Sequence, residues 1–189
     1  IYAYNNEITE IEQSTNDLLE QIYVNNNQVT NIDVREKPNL TYLIVSDHQI
    51  TSIDVSNNPL LNQLNIISNQ LTSLEISNNT LLTRLWANNN ELTSMDVTNN
   101  DTLVFLYLES NSLTTVTGVN DKTHLTYLQL KYNELTSLDL SGCTSMVELA
   151  VSNNNLSSLD VSANTSLNSL VCWSNQLTYL NMRNGVTDG

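Results

Sequence analysis

The sequence predicts a solenoid of about nine stacked turns, from a repeat period, a set of apolar columns and one column of asparagines. The first apolar residue of each turn lies at positions 1, 22, 43, 64, 85, 106, 128, 149 and 170. Successive turns are therefore 21 residues long, apart from one turn of 22 that contains the segment VTGVNDKTHL. A period held this closely indicates one unit used repeatedly, and we treat residues 1–189 as a single domain. The longer turn indicates either a local bend or contact site, or a neutral insertion.

Apolar side chains recur at the same places in each turn and predict both the strands and the core. In one turn these residues are Leu64, Ile66, Leu71 and Leu74. Leu64 and Ile66 flank one polar residue, which is the period of two that a β-strand shows. A single turn cannot bury these side chains, but stacked turns bury each column against the next.

A column of asparagines follows the predicted strands and is expected to be structural. Its members are Asn6, Asn27, His48, Asn69, Asn90, Asn111, Asn133, Asn154 and Asn175. A backbone that turns sharply after a strand leaves N–H and C=O groups unpaired. An inward amide can bond to both kinds of group, and an imidazole at His48 can make similar bonds.

Charge and composition exclude several classes of partner. The formal net charge is −14, with 6 basic and 20 acidic residues, so nucleic acid and anionic lipid surfaces are poor partners. Two cysteines are too few for a disulfide scaffold. No apolar stretch approaches the roughly 20 residues of a membrane span, so we expect no membrane insertion of this segment. The chain begins with Ile1 rather than Met, and we expect it to be a fragment of a longer protein.

The pattern LxxLxVxxNxL followed by LTSLDVSNNT resembles the leucine-rich-repeat family over essentially the whole chain. Its period of 21 residues resembles that of the internalin-like surface proteins of bacteria. One subgroup of those has cysteine at the inward strand position, which only Cys172 fills here. The resemblance implies a leucine-rich-repeat solenoid, a curved right-handed coil with a parallel β-sheet on the concave face and an irregular, short extended or 3-10 return side. It also implies a bacterial protein, secreted or at the cell surface, that recognises another molecule with the concave face.

Residues that flank the inward strand positions point onto the concave face, and most of the aromatic residues lie there. Adjacent strands are about 4.8 Å apart, so the residues of three neighbouring turns form one patch. The patch consists of Arg84, Trp86, Phe105, Tyr107 and Tyr127, and further candidates on this face are Tyr23, Tyr42, Lys131 and Trp173. Exposed aromatic residues with an arginine are typical of a binding hot spot. Aromatic residues also favour strands and stack across them, so a structural role is the alternative. Lys131 is expected to pair with Glu109, which occupies the same column in the adjacent turn.

These features predict a non-enzymatic binding module that recognises a protein partner, with adhesion or host interaction and virulence as the expected context. A glycan-binding module is one alternative, because aromatic rings also stack on sugars. A passive spacer that carries another domain is the second alternative. The histidines, His48 and His124, lie several turns apart and form no catalytic arrangement with a nucleophile.

One further column is acidic and lies on the return side. It consists of Glu12, Asp33, Asp54, Glu75, Asp96, Asp139 and Asp160. Stacked carboxylates repel one another, and a divalent cation could relieve that repulsion. No calcium-loop motif occurs, however. We therefore expect solvated carboxylates that accept hydrogen bonds from neighbouring Ser and Thr residues, with no metal and no other cofactor.

Overall fold

A computed structural model describes residues 1–11 and 17–183, and its main feature is one parallel sheet of three-residue strands. The strands of this main sheet are β1 (Gln21–Tyr23), β2 (Tyr42–Ile44), β3 (Gln63–Asn65), β4 (Arg84–Trp86), β6 (Phe105–Tyr107), β8 (Tyr127–Gln129), β9 (Glu148–Ala150) and β11 (Ser169–Val171). They pair in chain order, with one strand from each turn. Tyr2 extends the row through an isolated parallel bridge to Tyr23. The predicted solenoid is confirmed, with eight strands at the predicted positions from 22 to 170 and this bridge next to position 1.

The pairing register equals the repeat period, even across the turn with the extra residue. Leu64 pairs with Leu85, Leu85 with Leu106, and Leu106 with Leu128. These central residues are fully buried, whereas the residues on either side of them are half-buried. A strand of three residues therefore has one side chain in the core and two on the solvent side of the sheet.

The core is a continuous stack of aliphatic side chains. Val45, Ile66, Ala87 and Leu108 form one fully buried column of the central turns. Burying a side chain such as valine or leucine stabilises the fold by about 1.5–3 kcal/mol relative to leaving it exposed. Since each turn contributes to every column, the stability of the solenoid depends on contacts between neighbouring turns.

The return side contains short extended and 3-10 segments, as the resemblance implied. Strands β5 (Ser94–Asp96) and β7 (Thr115–Thr117) form one small parallel sheet, and β10 (Ser158–Asp160) and β12 (Tyr179–Asn181) form another. A 3-10 helix spans Val119–Asp121. The remaining return segments that the structure describes are turns and irregular backbone.

The predicted asparagine column satisfies the backbone where each turn leaves the main sheet. Nδ2 of Asn90 donates to the carbonyl oxygens of Ile66 in the preceding turn (3.0 Å) and Ala87 in its own turn (3.2 Å). Its Oδ1 accepts the N–H of Leu71 at 3.1 Å. The same three contacts recur at Asn27, Asn69, Asn111, Asn133, Asn154 and Asn175. At His48, Nε2 lies 2.8 Å from the carbonyl oxygen of Val24, so the imidazole is structural as predicted.

A second asparagine column lies on the return side, and the sequence reasoning missed it. Its members are Asn58, Asn79, Asn100 and Asn164, all fully buried. Nδ2 of Asn79 donates to the carbonyl oxygens of Val55 and Asn58, both at 2.9 Å, and the other three amides repeat these contacts. The Oδ1 atoms of these four residues are buried and have no protein partner among the described residues. This column therefore supplies donors only.

The extra residue of the longer turn is contained in the 3-10 helix on the return side. Gly118 precedes that helix with φ of 75°, and a Cβ there would lie 2.5 Å from the Cα of Thr98. In the next turn the N–H of Gly142 donates to the carbonyl oxygen of Asn120 at 2.7 Å, and a Cβ on Gly142 would lie 2.4 Å from that oxygen. Two glycines in neighbouring turns thus make room for the insertion, and the main sheet keeps its register.

One residue in each turn has a left-handed backbone conformation directly before the first asparagine column. These residues are Asn5, Asn26, Asp47, Ser68, Asn89, Ser110, Tyr132, Asn153 and Ser174, with φ between 52° and 62°. Short polar residues tolerate this conformation because their side chains bond locally. Tyr132 is the bulky exception, and its side chain is exposed.

Candidate binding surface

The five residues predicted as a patch lie together on the solvent side of three adjacent strands. β4 contributes Arg84 and Trp86, β6 contributes Phe105 and Tyr107, and β8 contributes Tyr127. In the pairing register, Arg84, Phe105 and Tyr127 form one row across the strands, and Trp86 and Tyr107 form a parallel row. We call these five residues the central aromatic patch.

The side chains of the central aromatic patch pack against one another in an ordered row. The rings of Phe105 and Tyr127 are stacked, with centroids 4.7 Å apart and an angle of 6° between the ring planes. The Arg84 guanidinium carbon lies 5.0 Å from the centroid of the Phe105 ring, within cation–π range. Tyr107 meets Phe105 edge to face at 6.2 Å. These contacts connect Arg84, Phe105, Tyr107 and Tyr127, and Trp86 lies beside Tyr107 in the neighbouring row.

The patch is less open to solvent than the sequence indicated. All five residues are half-buried, and four of them contact one another. Burial raises the pKa of Tyr107, and the nearby charge of Glu148 and the hydroxyl of Tyr127 raise it further. The surface thus combines apolar rings, one cation and a carboxylate at its border.

Tyr23 and Tyr42 belong to a separate cluster. The rings of Tyr2 and Tyr23 are stacked with centroids 4.7 Å apart, and the pKa of Tyr23 is raised by burial and by the neighbouring Tyr2 and Tyr42. Strand β3, which presents Gln63 and Asn65, lies between β2 with Tyr42 and β4 with the central patch. The structure therefore divides the predicted aromatic surface into two groups.

Lys131 and Trp173 also lie outside the central aromatic patch. Nζ of Lys131 is 3.2 Å from Oε2 of Glu109, which confirms the expected ion pair between adjacent turns. A partner would have to compete with Glu109 for this ammonium group. Trp173 is 56% exposed and lies two turns beyond Lys131 in the same column.

On the return side, the acidic column bonds to its own turns. The backbone N–H two residues further along donates to each carboxylate, as from Thr98 to Asp96 at 2.8 Å. The same contact occurs at Asp33, Asp54, Glu75, Asp139 and Asp160, whereas Glu12 lies outside the described residues. Side-chain and backbone hydrogen bonds from Ser56 lower the pKa of Asp54, and those from Arg35 lower the pKa of Asp33 to about 2. These carboxylates therefore stabilise the return-side turns by accepting backbone hydrogen bonds.

Residue types that could support catalysis are dispersed. His48 is buried in the asparagine column, and His124 is exposed at a turn. Cys143 and Cys172 are free thiols, and burial raises the pKa of Cys143 to about 11. A depression of about 380 Å³ on the return side is lined by Asp139, Asp160 and neighbouring serines, but both carboxylates already accept backbone N–H groups. Among the described residues, no group of three or more His, Cys, Asp or Glu side chains could hold a metal ion.

The described part of the chain has no helix with the length and apolar character needed to cross a lipid bilayer.

Comparison with known proteins identifies the fold. No protein-family model and no curated protein matches the sequence. Solved structures do match. One is an internalin from Listeria monocytogenes, InlF, which is 27% identical, with a TM-score of 0.74 over 80% of this chain and 47% of that one. Another is the functional domain of InlJ from Listeria monocytogenes, 25% identical, with a TM-score of 0.58 over 96% of this chain and 57% of that one. The chain has a leucine-rich-repeat fold.

The match to the fold extends over the whole solenoid. YopM from Yersinia enterocolitica is 23% identical and covers 99% of this chain with a TM-score of 0.80, although only 44% of YopM is matched. The chain spans about half the length of the two internalin structures that it matches. The resemblance to internalins is confirmed. The InlJ domain includes a cysteine ladder, whereas only Cys172 occupies the inward strand position in this leucine-rich-repeat solenoid.

Proposed function

We propose that this solenoid is a non-enzymatic binding module of a bacterial cell surface or secretion product. It recognises a protein partner through the central aromatic patch, in adhesion or host interaction. The observation that carries the proposal is the row in which Arg84 lies over Phe105 and Phe105 stacks on Tyr127. Aromatic residues and arginine dominate the energy of many protein interfaces.

The contacts within the patch support this role. Ordering a mobile side chain at an interface costs about 0.5–1.5 kcal/mol. In the central aromatic patch, ring stacking and the cation–π contact already restrict Arg84, Phe105 and Tyr127. A partner would therefore lose little free energy in ordering these side chains. Similarity to two internalins at 25% and 27% identity supports the surface or secreted location and the kind of function.

A glycan-binding module is the second candidate, and one observation favours it. Asn65 and Gln129 flank Trp86 and Tyr107 in the same row of the sheet. Amides beside an aromatic platform can bond to sugar hydroxyls while the rings stack on the sugar face. The charge of Arg84, which a neutral sugar does not need, favours the protein partner. A passive spacer would use neither feature.

The test is a comparison of retained ligands on immobilised wild-type chain and on a Trp86→Ala/Tyr107→Ala variant. Material released from the surfaces of animal and bacterial cells is applied after treatment with protease, with glycosidase or with neither. Tyr179→Ala, which removes an exposed aromatic side chain on the return side, is the control.

We expect a protease-sensitive ligand that the wild type and the control retain and the double variant loses, with unchanged thermal unfolding of all three proteins. Loss of a glycosidase-sensitive ligand instead would support the glycan module. Equal retention by all three proteins would exclude the patch as a binding site and leave the spacer.

A further inference from the structure

We propose that the partner docks across the central aromatic patch as an extended polypeptide segment. One acidic side chain of the segment meets Arg84, and a basic side chain four residues away meets Glu148. The inference rests on the proposed function and specifies the chemistry of the partner.

The first row of the patch ends in opposite charges. Arg84, Phe105, Tyr127 and Glu148 are the first residues of β4, β6, β8 and β9, and each pairs with the next in the register. All four are half-buried on the solvent side of the sheet. Two stacked rings therefore separate one cation from one carboxylate.

Neither charge is neutralised by a neighbouring ion. No carboxylate lies within 4 Å of Arg84, and no cation lies within 4 Å of Glu148, among the residues that the structure describes. The only hydrogen bond recorded for the Glu148 carboxylate among the described residues comes from Nε2 of Gln129 at 3.5 Å. By contrast, Lys131 is paired with Glu109, and Arg35 with Asp33. An arginine without an ion pair on the solvent side of the sheet can attract an acidic group of a partner.

The spacing of these charges matches an extended polypeptide. Three strand steps of about 4.8 Å separate Arg84 from Glu148 by roughly 14 Å. An extended chain advances about 3.3–3.6 Å per residue, so residues i and i+4 are separated by about the same distance. Their side chains point to the same face, and so does that of residue i+2. The middle side chain would lie over Phe105 and Tyr127 and is expected to be apolar.

The segment therefore has the pattern Asp/Glu–x–apolar–x–Lys/Arg, or the same pattern in the reverse chain direction. It lies across the strands of the main sheet, parallel to the direction in which the turns stack. The charge of Glu148 acts within the patch, since it contributes to the raised pKa of Tyr107. A neutral glycan carries no charge that could pair with Arg84 or Glu148 at the two ends of the row.

A random twelve-residue peptide library displayed on yeast tests the proposal. Peptides retained by the wild-type chain are screened against Trp86→Ala/Tyr107→Ala and against Phe105→Ala/Tyr127→Ala, and those lost on either variant are sequenced. Their affinity is then measured for the wild type, Arg84→Glu, Glu148→Lys and Arg183→Glu. The last variant is the control, because it changes the net charge as Arg84→Glu does at an exposed residue on the return side.

We expect the sequenced peptides to be enriched in an acidic and a basic residue four positions apart. Arg84→Glu is expected to weaken binding about tenfold, and changing the acidic peptide residue to lysine restores it on that variant. Glu148→Lys behaves in the same way with the basic peptide residue, and Arg183→Glu leaves affinity within about twofold.

The outcomes separate this inference from the proposed function. Peptides that require Trp86 and Tyr107 but bind Arg84→Glu and Glu148→Lys with unchanged affinity would overturn the inference and still support the patch as a binding site. Patch-dependent binding of glycans and of no peptide would replace the polypeptide with a sugar. Absence of any patch-dependent binding would overturn the proposed function as well.

Discussion

The two asparagine columns of this solenoid use the same side chain for different chemical tasks. In the column beside the main sheet, Asn90 both donates and accepts, with partners in its own turn and in the preceding one. In the return-side column, Asn79 donates to two carbonyl groups, and its Oδ1 has no partner among the described residues. Because the second column needs only a donor, it should tolerate a wider range of residues than the first.

The substitutions that the chain already contains follow this difference. In the return-side column, Lys122 and Cys143 replace asparagine and donate to the carbonyl oxygens of Thr98 and Val119, both at 3.0 Å. These two carbonyl groups lie 24 residues back along the chain, which is also the spacing of an asparagine contact. Among the described turns, the first column departs from asparagine only at His48, a residue that can also donate and accept.

The largest expected effect is the loss of an asparagine from the first column. Asn90→Ala leaves the N–H of Leu71 without an acceptor. The carbonyl groups of Ile66 and Ala87 each lose one of two amide donors and keep the other. Since an unsatisfied buried polar group costs about 1–3 kcal/mol and a hydrogen bond contributes about 1 kcal/mol, we expect Asn90→Ala to lower the free energy of unfolding by about 4 kcal/mol. The matched variant Asn79→Ala should lower it by about 2 kcal/mol, because it removes one hydrogen bond from each of two carbonyl groups that still accept a backbone N–H.

Urea unfolding followed by circular dichroism measures both variants of this pair. Equal losses, or a larger loss for Asn79→Ala, would contradict the division into donor-only and donor–acceptor columns.

A smaller effect is expected at Lys122, where the return-side column uses an ammonium group. Its Nζ donates to Thr98 and also contacts Asp101 at 2.7 Å and Asp121 at 2.9 Å. Burial lowers the pKa of Lys122, but its hydrogen bonds to Asp101 and Asp121 and the charges of these two carboxylates together raise it by more, so the residue is charged. We expect Lys122→Met to cost about 2 kcal/mol, since the carbonyl group of Thr98 then has no donor.

Lys122→Asn sharpens this test, because an amide at this position can donate to Thr98 as asparagine does elsewhere in the column. We expect it to recover about half of the loss, as measured by the urea midpoint. The control is Asp101→Asn, which keeps the ammonium group and changes an exposed carboxylate. If Lys122→Met and Lys122→Asn were equally unstable, the ion pairs of Lys122, and not its hydrogen bond to Thr98, would account for its contribution to stability.

Much of this architecture could be predicted from the sequence, because in a repeat the packing partner of a residue is its counterpart one period away. The period therefore predicted the central residue of every strand of the main sheet, such as Leu85 and Leu106, and the rows of the binding surface. The same reasoning brought Arg84, Phe105 and Tyr127 together, and the register confirms it.

The parts that were not predicted depend on geometry that the pattern does not contain. The second asparagine of the SNN segments at Asn58 and Asn79 was a signal for the return-side column, but Lys122 and Cys143 interrupt it. That three such different side chains share one role is apparent only from their contacts with backbone carbonyl groups. The half-buried state of the patch depends on side-chain rotamers, which place Arg84 over Phe105 instead of in solvent.

The smallest expected effect is a gain in stability at His48, where the first column contains a histidine instead of an asparagine. Its Nε2 bonds to Val24, whereas the buried Nδ1 has no partner among the described residues. In the neighbouring turns, Oδ1 accepts the N–H of the residue 19 positions back, which for position 48 is Val29. We therefore expect His48→Asn to raise the free energy of unfolding by about 1 kcal/mol, the usual contribution of one hydrogen bond.

The reciprocal variant Asn69→His should lower the free energy of unfolding by a similar amount, since it removes Oδ1 from the N–H of Ile50. Urea midpoints at neutral pH measure both changes. Amide hydrogen exchange at Val29 and Ile50 would assign each change to the expected N–H group. If His48→Asn lowered stability, the imidazole would have to contribute packing that outweighs the lost acceptor. The rule that this column requires both a donor and an acceptor would then fail at the one position where the chain itself departs from asparagine.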